Sequence, residues 1–437
     1  MYKLWRRLER LTGSFWFVPV VCVGASILVA EGLVALDRSI DHARWPILAP
    51  LQRMGLEGAR GLLGGIGGTT FGAAATAFSI TISVIATAST SYGPRLVGNF
   101  MSNRRNQWTL GVLVSTFVYT TLVVRTLRST DDGAVFVPHL AVHFAIGLAI
   151  ADVFLLISFI HHIATSIQVD TLTSVVSGAF QRTAKRSDEL VCDEHTTTLQ
   201  PPSGGEVVRS GADGYIVSIV PRLLLGAAEA DGGRIAIEAR VGDRVLTGTP
   251  LARIWPGQDA DHLAQATLSA IEIGPRHDPG TDAGYAQQQL VELAVRALSP
   301  GVNDPYTAVN VIEELALGLA QLVSAPLPAP VLVDDEGQPR VFLRPVTVKE
   351  LIDMPFRQIL PFSAGQHLVH TALVDLARHI EQHNVHPSLR GVAWRHVETI
   401  RAQCNDHSAM PGEDEALDAH IRAAERLLEL SRQQPDT

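Results

Sequence analysis

Five hydroxyl side chains recur along one apolar stretch of this chain: Thr76, Ser79, Ser83, Thr87 and Thr90, at intervals of 3, 4, 4 and 3 residues. In a helix that spacing lays them along one stripe about four turns long. Two chemistries suit such a stripe in lipid. Each hydroxyl can donate to its own i−4 carbonyl or to a neighbouring helix. Alternatively, stripes from several subunits can enclose a hydrated path in which hydroxyl dipoles replace part of an ion's water shell. Just ahead of the hydroxyls, Gly64, Gly68 and Gly72 recur every fourth residue, a spacing that lets another helix backbone approach closely. Asp152, between Ala151 and Val153 in another apolar run, is the next chemical group. An unpaired charge there costs on the order of 3 kcal/mol or more, so the carboxylate is either a proton or ion group or an interhelical hydrogen-bond partner. His139 and His143 stand one turn apart on the same run, and Asp152 falls about 180° from His143, so the three form no single cluster. The two histidines read as outer-interface residues. Near the C-terminus, Asp375, His379, His383 and His386 step by 4, 4 and 3 and put metal-ligand atoms on one helical face. The order is not H-E-x-x-H and His386 abuts Pro387, so a solvated or packed face is the simpler reading and a metal site the weaker alternative.

These groups need a scaffold, and the composition divides it in two. The 437 residues carry 35 Lys+Arg against 44 Asp+Glu, for a net charge of −9. Before residue 191 there are 16 basic and 11 acidic side chains; from there on there are 19 and 33. A mean hydropathy of +0.18 with 18% charged residues excludes a disordered chain. Cys22, Cys192 and Cys404 are odd in number and far apart, which argues against a disulfide scaffold or a C-x-x-C metal site.

Residues 1–162 read as a transmembrane domain of four helices, at about 15–36, 62–90, 108–124 and 137–160. The first apolar run has 22 residues, and at about 1.5 Å per residue it reaches roughly 33 Å, enough to span the hydrocarbon layer. It is longer than a signal-peptide core and reads as an uncleaved anchor. Because lipid satisfies no backbone polar groups, helices are the expected spanning form. Lys3, Arg6, Arg7 and Arg10, then Arg95, Arg104 and Arg105, then Arg182, Lys185 and Arg186, place both termini in the cytoplasm by the positive-inside rule. Arg95, Arg104 and Arg105 would form a cytoplasmic mouth that concentrates anions.

Residues 163–200 read as an amphipathic linker helix, and Gln200-Pro201-Pro202-Ser203-Gly204-Gly205 marks a boundary. Residues 201–258 alternate apolar and polar positions around Gly-Asp and Gly-Thr-Pro turns, as in tight hairpins. This module resembles half of a barrel-sandwich hybrid, the fold of biotinyl and lipoyl carriers. No lysine lies between Lys185 and Lys349, so a structural or docking module is expected and not a carrier. Residues 259–437 read as mainly helical, with helices at 284–298, from Pro305 to about Val323, and near 365–384, 388–403 and 413–432, plus a β-hairpin near 331–343. Ser299-Pro300-Gly301-Val302-Asn303-Asp304-Pro305-Tyr306 reads as a corner between helices, with Asn303 or Asp304 as cap and Pro305 at the first helical position; a ligand loop is the other reading. The chain lacks a P-loop, a dinucleotide fingerprint, a nucleophile elbow and a compact Cys–His pair. The acidic second half disfavours nucleic acid. No cofactor is expected, and no enzyme activity, with a metal-dependent enzyme built on the Asp375 face as the minor alternative.

Phe78-Ser79-Ile80-Thr81, Tyr92-Gly93-Pro94-Arg95-Leu96, Arg105-Asn106-Gln107 and Ala297-Leu298-Ser299-Pro300-Gly301-Val302-Asn303-Asp304-Pro305 together with Trp5 to Arg7 resemble a bacterial family of predicted membrane proteins known as a domain of unknown function. The resemblance covers nearly the whole chain and implies a bacterial inner-membrane protein; it supplies no activity. The residues themselves lead to the expectation of a homo-oligomeric ion channel or channel-like transport protein, with lipid, ions and its own copies as partners. The path would run along Thr76, Ser79, Ser83, Thr87, Thr90 and Asp152. A non-conducting membrane-anchored scaffold or sensor that binds a cytosolic partner or ligand is the alternative.

Overall fold

The computed structural model describes residues 16–39, 54–92, 104–129, 135–166, 177–178, 180–182, 199–277, 280–327, 329–407 and 411–433. The chain forms two compact units, 1–168 and 169–437.

The first unit is built from α1 (Phe17–Ser39), α2 (Leu56–Tyr92), α3 (Arg104–Thr126) and α4 (His139–Ser166). A two-residue antiparallel pair, β1 (Arg128–Ser129) and β2 (Val135–Phe136), joins α3 to α4. α3 packs against the other three helices. Two of its contacts depend on missing side chains. A Cβ at Gly111 would lie 3.1 Å from the Pro19 backbone of α1, and one at Gly67 of α2 would lie 2.7 Å from the Thr120 hydroxyl of α3. Leu63, Tyr119, Val123, Val142 and Ala145 fill the core between these helices at one end, and Ala77, Leu110, Phe159 and Ile163 fill it toward the other. The first N–H groups of a helix lack intrahelical acceptors; in α4 those of Leu140 and Ala141 donate to the Asp37 carboxylate of α1, both at 3.1 Å. Tyr119 donates its hydroxyl to the Ala141 carbonyl at 2.8 Å.

The second unit contains two small sheets. Strands β3 (Glu206–Arg209), β4 (Gly214–Ile219), β5 (Arg234–Ile237), β6 (Arg244–Val245), β7 (Pro250–Trp255) and β8 (Ile271–Gly274) alternate with α5 (Pro221–Asp231) and α6 (Ala260–Ala270). β4 lies between β6 and β8, antiparallel to both. The larger sheet has the order β3-β7-β5-β10-β9, where β9 is Val331–Val333 and β10 is Pro339–Phe342. The hairpin expected near 331–343 is present, but it does not belong to the helical module. β10 pairs in parallel with β5, Val341 opposite Ile235, so the β region draws on residues well beyond 258. A parallel partner about a hundred residues away leaves no local trace in the sequence, because only the crossover connects the two strands. Ile216, Leu224, Ile235, Leu251, Ile254, Leu263 and Val341 form the core. Gly242 and Gly248, both in the expected turns, have φ values of 92° and 90°, which a side chain tolerates poorly.

The helical remainder comprises α7 (Ala283–Ala297), α8 (Pro305–Ser324), α9 (Val348–Ile359), α10 (His367–His383), α11 (Val397–His407) and α12 (Glu413–Gln433). The corner before α8 forms as its residues dictate. Asp304 caps the helix by accepting from the Thr307 N–H at 3.1 Å, Pro305 takes the first position, and Asn303 adopts φ 47° while accepting from the Gln366 amide at 3.1 Å. α9 begins with a capping box between Thr347 and Glu350. Among the described residues five helices are long and apolar enough to cross a membrane, one more than expected: α1 to α4, and α8. α8 buries Val311, Leu315, Leu319 and Leu322 within its own unit, chiefly against α10 and α7. Most of the expected 163–200 linker helix lies outside the described residues. Of its described part, Ser177 and Phe180 are buried, and the Phe180 ring seats on Gly318 of α8.

Candidate functional site

α2 has two faces of different fate. Ala59, Leu63, Gly67, Thr70, Ala74, Ala77 and Thr81 make the buried stripe, spaced to follow one side of the helix. The face centred on Gly72 lies about 180° from Leu63. It carries Gly61, Gly65, Gly68, Ala75, Thr76, Ser79, Ser83 and Thr87, all exposed. A Cβ at Gly64, Gly68 or Gly72 would meet nothing within 4 Å. The expected glycine triplet and hydroxyl stripe therefore share one exposed side of the helix. The α2 glycine packed against a neighbouring helix is Gly67, where an added Cβ would meet the Thr120 and Phe117 side chains of α3, and the sequence does not distinguish it from its neighbours. Exposed Phe71, Phe78 and Ile82 flank the small face on one side and Ile80 on the other.

Along this face the hydroxyls divide. Thr76 donates to the Gly72 carbonyl and Thr87 to the Ser83 carbonyl, both at 3.0 Å, the self-satisfied arrangement of a hydroxyl in a helix. Among the described residues the Ser79 and Ser83 hydroxyls have no hydrogen-bond partner, although the Ser83 carbonyl accepts from Thr87. The Thr90 side chain lies outside the described residues.

Asp152 occupies a different place. It is 4% exposed, on the same side of α4 as the buried Ala141, Ala145, Phe159 and Ile163. Both carboxylate oxygens lack a hydrogen-bond donor. The hydroxyl beside it, Thr116 of α3, is committed to the Val112 carbonyl at 3.1 Å. Within the protomer Asp152 is thus buried beside α3 while the described α2 hydroxyls are exposed. Periodicity fixes an angle on a helix but not which neighbour that angle faces. Two further buried acceptors, missed in the sequence, lie on α3: Asn106 Oδ1 and Gln107 Oε1, both without donors in side chains at most 2% exposed. Arg104 and Arg105 are exposed at the start of α3, and Arg95 lies outside the described residues.

The histidine face does not converge on a metal. Asp375 is engaged by Arg378 Nε at 3.2 Å and faces His420 Nε2 at 3.2 Å. The His383 and His386 rings bond the His379 and Ala325 carbonyls at 2.8 and 2.7 Å. Burial, with the adjacent Arg378 guanidinium, holds the His379 ring below its ordinary pKa. Among the described residues no group of three His, Cys, Asp or Glu side chains is placed to hold a metal ion. Asp375, His379 and His383 border a groove of about 900 Å³ between α8 and α10, where Tyr306, Leu317 and Leu368 expose apolar surface.

Apolar helices joined to a second unit of sheets and helices define a multi-pass membrane protein, with a lipid-compatible bundle and a separate α+β unit. The chain belongs to the family described as predicted membrane protein (DUF2254), whose model matches residues 12–379. It is 29% identical over 395 residues to the uncharacterized protein Mb1321c of Mycobacterium bovis and, to the same extent, to the uncharacterized protein Rv1290c of Mycobacterium tuberculosis. Each alignment covers 88% of this chain and 74% of the relative. No solved structure matches the chain.

Proposed function

We propose that this chain is the subunit of a homo-oligomeric ion channel or channel-like transport protein of the bacterial inner membrane, with both termini cytoplasmic. The exposed small face of α2 supports the reading: a side of Gly, Ala, Ser and Thr left uncovered by the described residues suits close approach by other copies and a hydrated lining. In this arrangement Ser79 and Ser83 offer hydroxyls to the path, while Thr76 and Thr87 keep their own carbonyls satisfied. The second unit gates or assembles the bundle. Full-length protein in liposomes is expected to pass small ions, and Ser83→Phe is expected to reduce that flux several-fold without loss of folded protein. Absence of flux across varied voltage, tension and pH defeats the proposal.

A second reading rests on the groove between α8 and α10. Its apolar body and polar rim are the features of a ligand pocket, which favours a membrane-anchored sensor that conducts nothing. Binding of an apolar fluorescent probe to the full chain, abolished by Leu317→Arg, in protein that shows no ion flux would select it.

A further inference from the structure

We infer that Asp152 is a proton-binding site at the core of each protomer's helical bundle, and that the ion this protein handles is the proton. The second half of that statement rests on the transport reading above; the first half does not.

Asp152 sits 13 residues after the start of α4 and 14 before its end, so it lies at mid-helix, where the bilayer centre falls. An ionised carboxylate there, 4% exposed and with neither oxygen receiving a donor, is unstable by several kcal/mol. It must gain a counter-charge, a cation or a proton.

No counter-charge faces it among the described residues. On α3, Arg105 and Arg125 lie about 16 and 14 Å along the axis from Thr116, and Tyr119 is turned to the Ala141 carbonyl. On α1, Glu31 pairs with Arg125 at 3.1 Å, Asp37 caps α4, and Arg38 lies over the Phe136 ring. Cys22 sits against Gly111. On α2, Glu57 and Arg60 are together in the first turns, 3.6 Å apart. On α4 itself the nearest ionisable rings, His143 and His161, are nine residues away in either direction, about 14 Å.

A metal cation is no better supplied. Hard cations take about six oxygen ligands, whereas among the described residues it is the Thr116 hydroxyl that stands beside Asp152, and no metal-ligand cluster occurs among them. A proton needs none of these. It neutralises the group in place, and a carboxylic acid can donate to the second lone pair of Thr116. The site also connects to the α2 seam. Thr116 accepts, through its carbonyl, from Thr120 at 3.0 Å, and Thr120 is the residue packed against Gly67. Loss of the proton therefore loads charge onto the seam that holds α2 in place.

The test is infrared difference spectroscopy on the full chain in lipid, paired with pH-gradient flux in liposomes carrying an entrapped pH dye. Wild type is expected to show a carboxylic-acid C=O band at neutral pH that Asp152→Asn removes, and proton flux that the same change lowers at least tenfold. Absence of any Asp152-dependent acid band overturns the site. A band without proton flux upholds the site and overturns the assignment of the transported ion; flux of another ion in the same liposomes then keeps the transport reading, and no flux of any ion ends it. Where Asp152→Asn fails to assemble, Asp152→Glu carries the test, because it shifts the band and its titration midpoint and does not delete them.

Discussion

Two neighbouring glycines of α2 make opposite predictions. At Gly67 a methyl group would sit 2.7 Å from Thr120 Oγ1 and 3.7 Å from the Phe117 ring. Thr120 has little room to yield, since its hydroxyl is held by the Thr116 and Phe117 carbonyls, both at 3.0 Å. Overpacking of this kind costs about 1–3 kcal/mol, so Gly67→Ala is expected to lower the folded-to-unfolded ratio of the protomer roughly five- to thirty-fold for each 1–2 kcal/mol. At Gly68, one residue on, nothing of the same chain lies within 4 Å. Gly68→Leu therefore leaves the protomer fold intact and even gains helix propensity, up to about 1 kcal/mol, but its side chain enters the face assigned to contact between copies. Thermal unfolding in detergent followed by tryptophan fluorescence, with particle mass from light scattering, separates the two. The expected pattern is a lower midpoint with unchanged mass for Gly67→Ala, and an unchanged midpoint with reduced mass for Gly68→Leu. If Gly68→Leu keeps both mass and ion flux, the small face of α2 meets lipid and the assembly reading is refuted.

Two further outcomes concern the second unit. Asp231 accepts the N–H groups of Gly257, Asp259 and Gln258 at 2.6, 2.8 and 3.3 Å, and these bonds hold its carboxyl below the ordinary range. Its stabilising contribution is therefore complete above its unfolded pKa of about 3.9 and is lost as pH falls through the lower folded value; urea midpoints of the full chain between pH 3 and 6 should fall less steeply toward acid in Asp231→Asn. Phe180 is fully buried on Gly318, so Gly318→Val is expected to expel it and raise amide exchange across residues 177–182, with little change in the β core.

What the sequence disclosed follows the range of the interaction involved. The helix at 283–297, the Asp304 cap and the turns at Gly242 and Gly248 are set by residues within a turn of one another, and they stand where local chemistry puts them. The partner of β10 was not legible, since Val341 and Ile235 meet only across a long crossover. The site shows the same division. The intervals 3, 4 and 4 set Thr76, Ser79, Ser83 and Thr87 on one exposed face, but Gly67 and Gly68 are chemically identical, and only the position of Thr120 makes one a packing residue. Likewise Asp152 was conspicuous as an isolated carboxylate, yet its neighbour Thr116 was not, because a threonine among α3's many hydroxyls carries no mark of what faces it. The bundle thus separates two functions that the sequence invited one to merge. A face turned away from the protomer can contact copies or a shared path, and an acid turned into the protomer can bind a proton. Thr116 and Thr120 of α3 stand between them, one beside Asp152 and the other against Gly67 on the side of α2 opposite the small face, so a substitution there is where the two activities should come apart.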